Sequence, residues 1–264
     1  MAAQQDFSSK YTNANLSADA APYDSDLFAN LVGQLEDADG GSISKVASAI
    51  VAVVLCAQKR GDAVAGLFRD ITRIQSDQQK KECFMSLRHG ISLTWPFFGL
   101  PNSMPACLGL VNELRQGHIT VPSQVDRPLL GEADWLAKGY ETNRAIYHAV
   151  GNAEVGNMIA EYFPEISYIA NAAVFGFLIG GSENIQTLPL SELIVASAIA
   201  GTGATRQTKS HFKGSLGLGI SPEALQAVWS VVKEVAAWNK SAPLGKVDVL
   251  ELVEEVKTNL QSAK

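Results

Sequence analysis

Glu192 and His211 carry a carboxylate and an imidazole, side chains suited to moving protons near neutral pH. Nineteen positions separate them. A straight helix would hold them roughly 28 Å apart, at about 1.5 Å per residue. Gly201-Thr202-Gly203 lies between them, however, and two glycines in three residues break a helix. The chain then doubles back as an antiparallel hairpin. Glu192 lies nine residues before Gly201 and His211 eight after Gly203. Both therefore stand about 12–14 Å from the bend. The spacing predicts that carboxylate and imidazole meet, within the roughly 3–5 Å of a direct or one-water contact.

On the second arm, Ala204, Gln207 and His211 fall at i, i+3, i+7 on one helix face, flanked by Thr208 and Ser215. Gln207 is spaced to hydrogen-bond a ring nitrogen of His211 and fix its tautomer, or to orient the substrate. Arg206, Lys209 and Lys213 lie mostly off that face. Arg206 is a candidate carboxylate clamp, because a guanidinium binds carboxylates bidentately; a solvated surface Arg fits the same position. Glu192 follows Ser191 in the first turn of its helix, where the dipole favours the ionised form. Burial against Phe175 or Phe177 would push its pKa the other way. The expected catalytic set is His211, Glu192 and Gln207, with Arg206 and Thr208 binding substrate. Taken singly, such a His is equally at home in a core and such a Glu as a capping charge.

Helices must position these groups. The run 46–57 is apolar nearly all round, as a central helix would be. Periodicity predicts further helices over 26–35, 78–92, 103–114, 132–150, 154–162, 166–178, 191–200, 204–218, 222–238 and 248–261. Pro164, Gly180-Gly181 and Gly219 punctuate them, and Ser221-Pro222-Glu223 is a strong helix start. No pair of strands stands out, so the expected fold class is all-α. Val46-Ala47-Ser48-Ala49-Ile50 recurs 149 residues later as Val195-Ala196-Ser197-Ala198-Ile199. That echo suggests a degenerate tandem repeat. At this offset Ile43 and Asp62 stand where Glu192 and His211 stand, so the first copy is chemically silent. The expected division is a polar N-terminal tail (1–24), a degenerate half (25–116) and a half carrying the site (125–264). The polar stretch around Pro122 joins the halves.

The chain's 264 residues, 47% apolar, can bury a large core. A net charge of −6 without a Lys/Arg cluster disfavours nucleic acid and anionic membranes as partners. The longest apolar run is about half the ~20 residues of a membrane span. His89, His118, His148 and His211 include no i, i+4 pair, so no metal site is expected. Cys56, Cys83 and Cys107 form no CxxC and read as reduced core thiols of an intracellular protein. Residues 1–24 lack the apolar core of a signal peptide. The terminal Gln261-Ser262-Ala263-Lys264 stops one residue short of the Ser/Ala-Lys-Leu peroxisomal address. Cytoplasm or peroxisomal matrix is the expected location; an ordinary polar helix end fits the same residues.

Glu192, Ala204, Gln207 and His211 match the spacing Glu-x11-Cys-x2-Cys-x3-His of the alkylhydroperoxidase D superfamily, with Ala204 and Gln207 in place of both cysteines. Gly139-Tyr140-Glu141, Tyr147, Gly151-Asn152, Tyr162-Phe163-Pro164-Glu165, Phe175-Gly176 and Gly219-Ile220-Ser221-Pro222-Glu223 extend the likeness. Residues 134–238 thus resemble the carboxymuconolactone decarboxylase-like branch of that superfamily, in particular fungal members without the Cys pair. The resemblance implies an AhpD-like helical fold and homo-oligomers, often trimers or hexamers. It also implies either thiol peroxidase activity or decarboxylation of small cyclic acids without metal or organic cofactor. A thiolate is the nucleophile in peroxide chemistry, so the missing sulfurs weigh against the peroxidase.

The leading expectation is a cofactor-free lyase or isomerase, decarboxylase-like, acting by proton transfer on a small carboxylated or carbonyl substrate. The alternatives are an antioxidant alkylhydroperoxidase-like protein using Cys56, or a non-catalytic binder or scaffold on a decayed enzyme. At least a homodimer is expected.

Overall fold

A computed structural model describes residues 7–151, 154–242 and 244–262. The protein is all-α: the described residues form twelve α-helices of six residues or more and no strand. The helices are α1 Ser25–Asp37, α2 Ala47–Ala57, α3 Val64–Ile71, α4 Asp77–Phe98, α5 Leu100–Gln116, α6 Trp135–Tyr147, α7 Glu154–Tyr162, α8 Pro164–Ile169, α9 Leu188–Gly201, α10 Thr205–Gly217, α11 Pro222–Trp238 and α12 Val249–Ser262. A π-helical segment, Ala170–Ile179, continues α8.

Two helices organise the core. In α2 every residue but Ser48 is buried, and in α9 every residue from Ser191 to Gly201 is. Helices this apolar have no wet face, so they must be surrounded on all sides. They pack against each other and both against α4. One apolar cluster, reaching from Phe28 to Leu252, therefore spans both the 25–116 and 125–264 segments. The join at 117–134 holds no helix and is tied down by Arg88. Its guanidinium donates to the carbonyls of Pro122 and Gln124 (both 2.7 Å) and pairs with Asp126.

The helix starts obey the local chemistry. Ser76 closes a capping box with Gln79 at the head of α4, and Ser221 Oγ accepts the Ala224 N–H at the head of α11. Helix ends shift by a few residues from the sequence reading, and three departures are larger. α4 runs on past Ser92 to Phe98 and stops at Gly99, whose φ is 85°. α3 was not anticipated. The expected 166–178 helix splits into α8 and the wider π-helical segment. There the backbones of α6 and the π-helix approach so closely that a Cβ on Gly139 would lie 1.8 Å from the Asn171 carbonyl oxygen. One on Gly176 would lie 1.9 Å from that of Trp135. Only glycine fits at either place.

Part of the polar N-terminal tail is docked rather than free. Thr12 is buried in a π-turn, Ser8–Thr12, packed on α5, and the Pro22 carbonyl accepts the Trp238 indole N–H. The Ala263-Lys264 end of the suspected import address lies outside the described residues. Among those described, no single helix is long and apolar enough to cross a membrane.

The pentapeptide echo is out of register. Val46 caps the start of α2, whereas Val195 stands mid-way along α9. The left-handed turn residue ending each unit is Lys59 (φ 61°) or Gly203 (φ 79°), 144 positions apart. The capping Ser76 and Ser221 are 145 apart. The order helix, left-handed turn, helix, Ser-capped helix thus occurs twice at an offset near 144 rather than 149. At that offset Ser48 and Leu67, not Ile43 and Asp62, stand against Glu192 and His211. At neither offset does a carboxylate stand paired with an imidazole.

Candidate functional site

The turn between α9 and α10 sets the site. Thr202 Oγ1 donates to the Ile199 carbonyl (2.7 Å) and accepts the Ala204 N–H (3.3 Å), while Gly203 supplies the left-handed residue. α10 then folds back along α9. Glu192 Oε1 and His211 Nδ1 meet at 2.7 Å. His211 Nε2 lies 3.1 Å from the hydroxyl of Tyr147, at the C-terminal end of α6.

With the ring donating from Nδ1 to the carboxylate, Nε2 is left to accept the phenol O–H. The result is a continuous chain, Tyr147 O–H to His211 to Glu192. Aromatic rings wall it in. Phe97 of α4 lies edge-on to the imidazole, with centroids 6.1 Å apart, and Phe175 of the π-helix lies edge-on to Tyr147 at 5.9 Å.

Burial governs the electrostatics. Glu192 is wholly buried, and its Oε2 has no partner among the described residues. Desolvation pushes the carboxyl pKa up, and the His211 imidazole pulls against it. Helix α9 begins at Leu188, so Glu192 lies beyond its first turn rather than in it as its sequence position after Ser191 had suggested, and the dipole gives the carboxylate no help against burial. The Tyr147 phenol is also raised, by its burial and then by the charge of Glu192, so it stays a proton donor.

The chain opens at one end. Tyr147 and His211 line a cleft of about 940 Å³ with Asn143, Arg206, Gln207 and Lys209. Glu192 stands behind His211 and is not part of that lining. Among the described residues no Asp or Glu lines the cleft. Lys213 is engaged by Glu255 and the Val150 carbonyl, but the side chains of Arg206 and Lys209 have no partner among the described residues. The charged side chains that line this cleft are therefore positive, although the protein as a whole is acidic.

Of the residues read from the sequence, Glu192 and His211 meet and Arg206 reaches their cleft, although its helical position had placed it away from the His face. Gln207 is exposed and lines the same space, but it does not orient His211, since Glu192 and Tyr147 already occupy both ring nitrogens. Thr208 is buried and its hydroxyl donates to the Ala204 carbonyl, so it turns away from the cleft. Tyr147 was missed as a member of the site. Its place depends on α6 crossing α10, a long-range contact that no local spacing announces.

The thiols stand apart. Cys56 is fully buried, and desolvation pushes its pKa up; Cys83 is pushed up to about 12 and Cys107 is raised too. None of the three lines the cleft, and none has the depressed pKa of a reactive cysteine. Among the described residues no three His, Cys, Asp or Glu side chains gather as a metal site would require. Neither a family model nor a curated protein matches the chain.

Proposed function

We propose that the protein is an acid–base enzyme, a lyase or isomerase that needs no cofactor and acts on a small carbonyl substrate bearing a carboxylate. The observation that carries this reading is the Tyr147–His211–Glu192 chain, buried at its carboxylate end and opening at its phenol end into a cleft of positive charge. His211 Nε2 takes a proton from carbon or from a bound water once substrate displaces the Tyr147 hydroxyl. Glu192 stabilises the imidazolium that forms, a role its Oε1 can fill at 2.7 Å. Tyr147 then donates its O–H to the oxyanion developing on the carbonyl. Arg206 and Lys209 hold the carboxylate, Arg206 by a bidentate contact.

The spacing of Glu192 and His211 supports placing the chain with the carboxymuconolactone decarboxylase-like branch of the alkylhydroperoxidase D superfamily, and with the AhpD-like tandem repeat. The substitution of its cysteines by Ala204 and Gln207 supports proton transfer over thiol redox chemistry. The test is a panel of small keto acids and unsaturated lactone acids. Turnover of any member by the wild type, lost in His211→Ala and Tyr147→Phe, upholds the reading. Turnover that survives both substitutions refutes it, and a panel untouched by the wild type favours the non-catalytic binder.

A further inference from the structure

A second cleft, of about 660 Å³, shares no lining residue with the first. His89 of α4 stands in its wall. The imidazole is 7% exposed and makes no hydrogen bond among the described residues. Burial pushes its pKa down to about 4, and the charge of Arg127 adds to that, so the ring is neutral at neutral pH. A neutral ring carries one N–H and one lone pair. Nε2 is the nitrogen sealed from solvent without a partner. An orphaned buried N–H is rarer in proteins than an under-satisfied acceptor, which puts the proton on Nδ1. Among the described residues that N–H finds no acceptor, so the cleft must supply one.

The start of α9 adds donors. Thr187 stands at its N-cap, yet the side chain takes none of the N–H groups of the first turn. Thr187 and Leu190 both line the cleft, so the positive end of a fourteen-residue helix borders it. Lys45 lines it too, and its ammonium has no partner among the described residues. Asp126, the one carboxylate of the described lining, is paired with Arg88 at 3.0 Å. One ammonium therefore stands unbalanced, which suits a ligand of single negative charge. A phosphate dianion would carry a surplus charge beside Asp126. Met85, Ile185 and Leu190 offer apolar surface next to these donors, the mixture typical of a small-molecule site.

We propose that this cleft binds a small monocarboxylate, its oxygens on Lys45, His89 Nδ1 and the head of α9, and its alkyl chain against Met85, Ile185 and Leu190. The proposal does not rest on the proton-transfer reading, since none of these groups belongs to the Tyr147–His211–Glu192 chain. Butyrate is the probe, titrated into the full chain at neutral pH while the imidazole C–H signals are followed by NMR. Loss of signals in His89→Gln assigns those of His89. They should shift saturably in the millimolar range, whereas butyrate in the other cleft would move the signals of His211. Lys45→Met, a change at an exposed side chain, should keep the circular dichroism spectrum and weaken binding about threefold or more. Arg206→Gln should leave the His89 shift unchanged. His89 signals that do not respond overturn the proposal. So does a response that Lys45→Met leaves equally tight, or one that Arg206→Gln abolishes. Inorganic phosphate binding there more tightly than butyrate would overturn the charge argument and the monocarboxylate with it.

Discussion

The Oε1 atom of Glu192 and the Nδ1 atom of His211, nineteen positions apart in sequence, lie 2.7 Å from each other, the carboxylate shut off from solvent. A buried carboxyl with one partner and one unpartnered oxygen costs stability. The protein keeps it where the imidazole needs a fixed tautomer and a counter-charge. That arrangement makes the pair's response to mutation and to pH specific.

His211→Ala removes the one hydrogen-bond partner that the wholly buried Glu192 carboxyl has among the described residues. The expected loss is about 1–3 kcal/mol, from leaving a buried polar group unsatisfied. Urea unfolding at neutral pH measures it. A variant as stable as the wild type would mean that Glu192 finds another partner, and that the pair is looser than its geometry.

The pH dependence follows from the raised pKa of Glu192. Such a carboxyl holds its proton more tightly in the folded chain than in the unfolded one. Its contribution to stability is therefore full at low pH and declines as pH rises from the unfolded value, ~4.3, through the raised folded value. Glu192→Gln has no proton to release. The variant should gain stability relative to the wild type as pH climbs from about 4 to about 7. A gap independent of pH across that range would contradict the assignment.

Tyr147→Phe keeps the ring against Phe175 and His211 but deletes the hydroxyl at His211 Nε2. Stability should move by no more than about 1 kcal/mol, the net worth of one hydrogen bond. Turnover of a substrate found by the panel should fall ~10²–10⁴-fold, the range for a lost general acid or base. Arg206→Gln should raise KM for a carboxylated substrate with a much smaller effect on kcat, because uniform binding is what it supplies.

Much of this was legible in the sequence for identifiable reasons. The all-α class followed from 3.6-residue periodicity, and the meeting of Glu192 with His211 followed from two distances to one glycine turn. What local pattern could not supply is tertiary. Tyr147 reaches His211 only because Gly139 and Gly176 let α6 seat tightly on the π-helix. Gln207 was given the ring nitrogen that Tyr147 in fact occupies. Thr208, read as a substrate-binding residue, is buried and its hydroxyl is spent on the Ala204 carbonyl. The 149-residue echo falls at different points of its two helices, because small and β-branched residues suit any buried stretch, whether at its start, as in α2, or at its middle, as in α9.

Gly139→Ala tests that tertiary support. Its new Cβ would fall 1.8 Å from a backbone oxygen, which no rotamer change relieves. The variant should be destabilised by ~1–3 kcal/mol or more, the usual cost of overpacking. Thermal unfolding that matched the wild type would show the α6 contact to be slack.

Cys56, wholly buried and pushed above its ordinary pKa, should resist alkylation and disulfide reagents in the native protein and react only on unfolding. Mass spectrometry after maleimide treatment at neutral pH reads this directly. Rapid native labelling of Cys56 would reopen the thiol-peroxidase alternative.

The central claim, that the Tyr147–His211–Glu192 chain moves protons for a bound carboxylated substrate, is tested most directly by solvent-deuterium exchange. Small keto acids are incubated with the protein in deuterium oxide, and label at the carbon beside the carbonyl is followed by NMR. The account predicts incorporation by the wild type well above the uncatalysed rate, abolished by His211→Ala and strongly reduced by Tyr147→Phe. Wild type and His211→Ala exchanging at the same rate across the panel would contradict it.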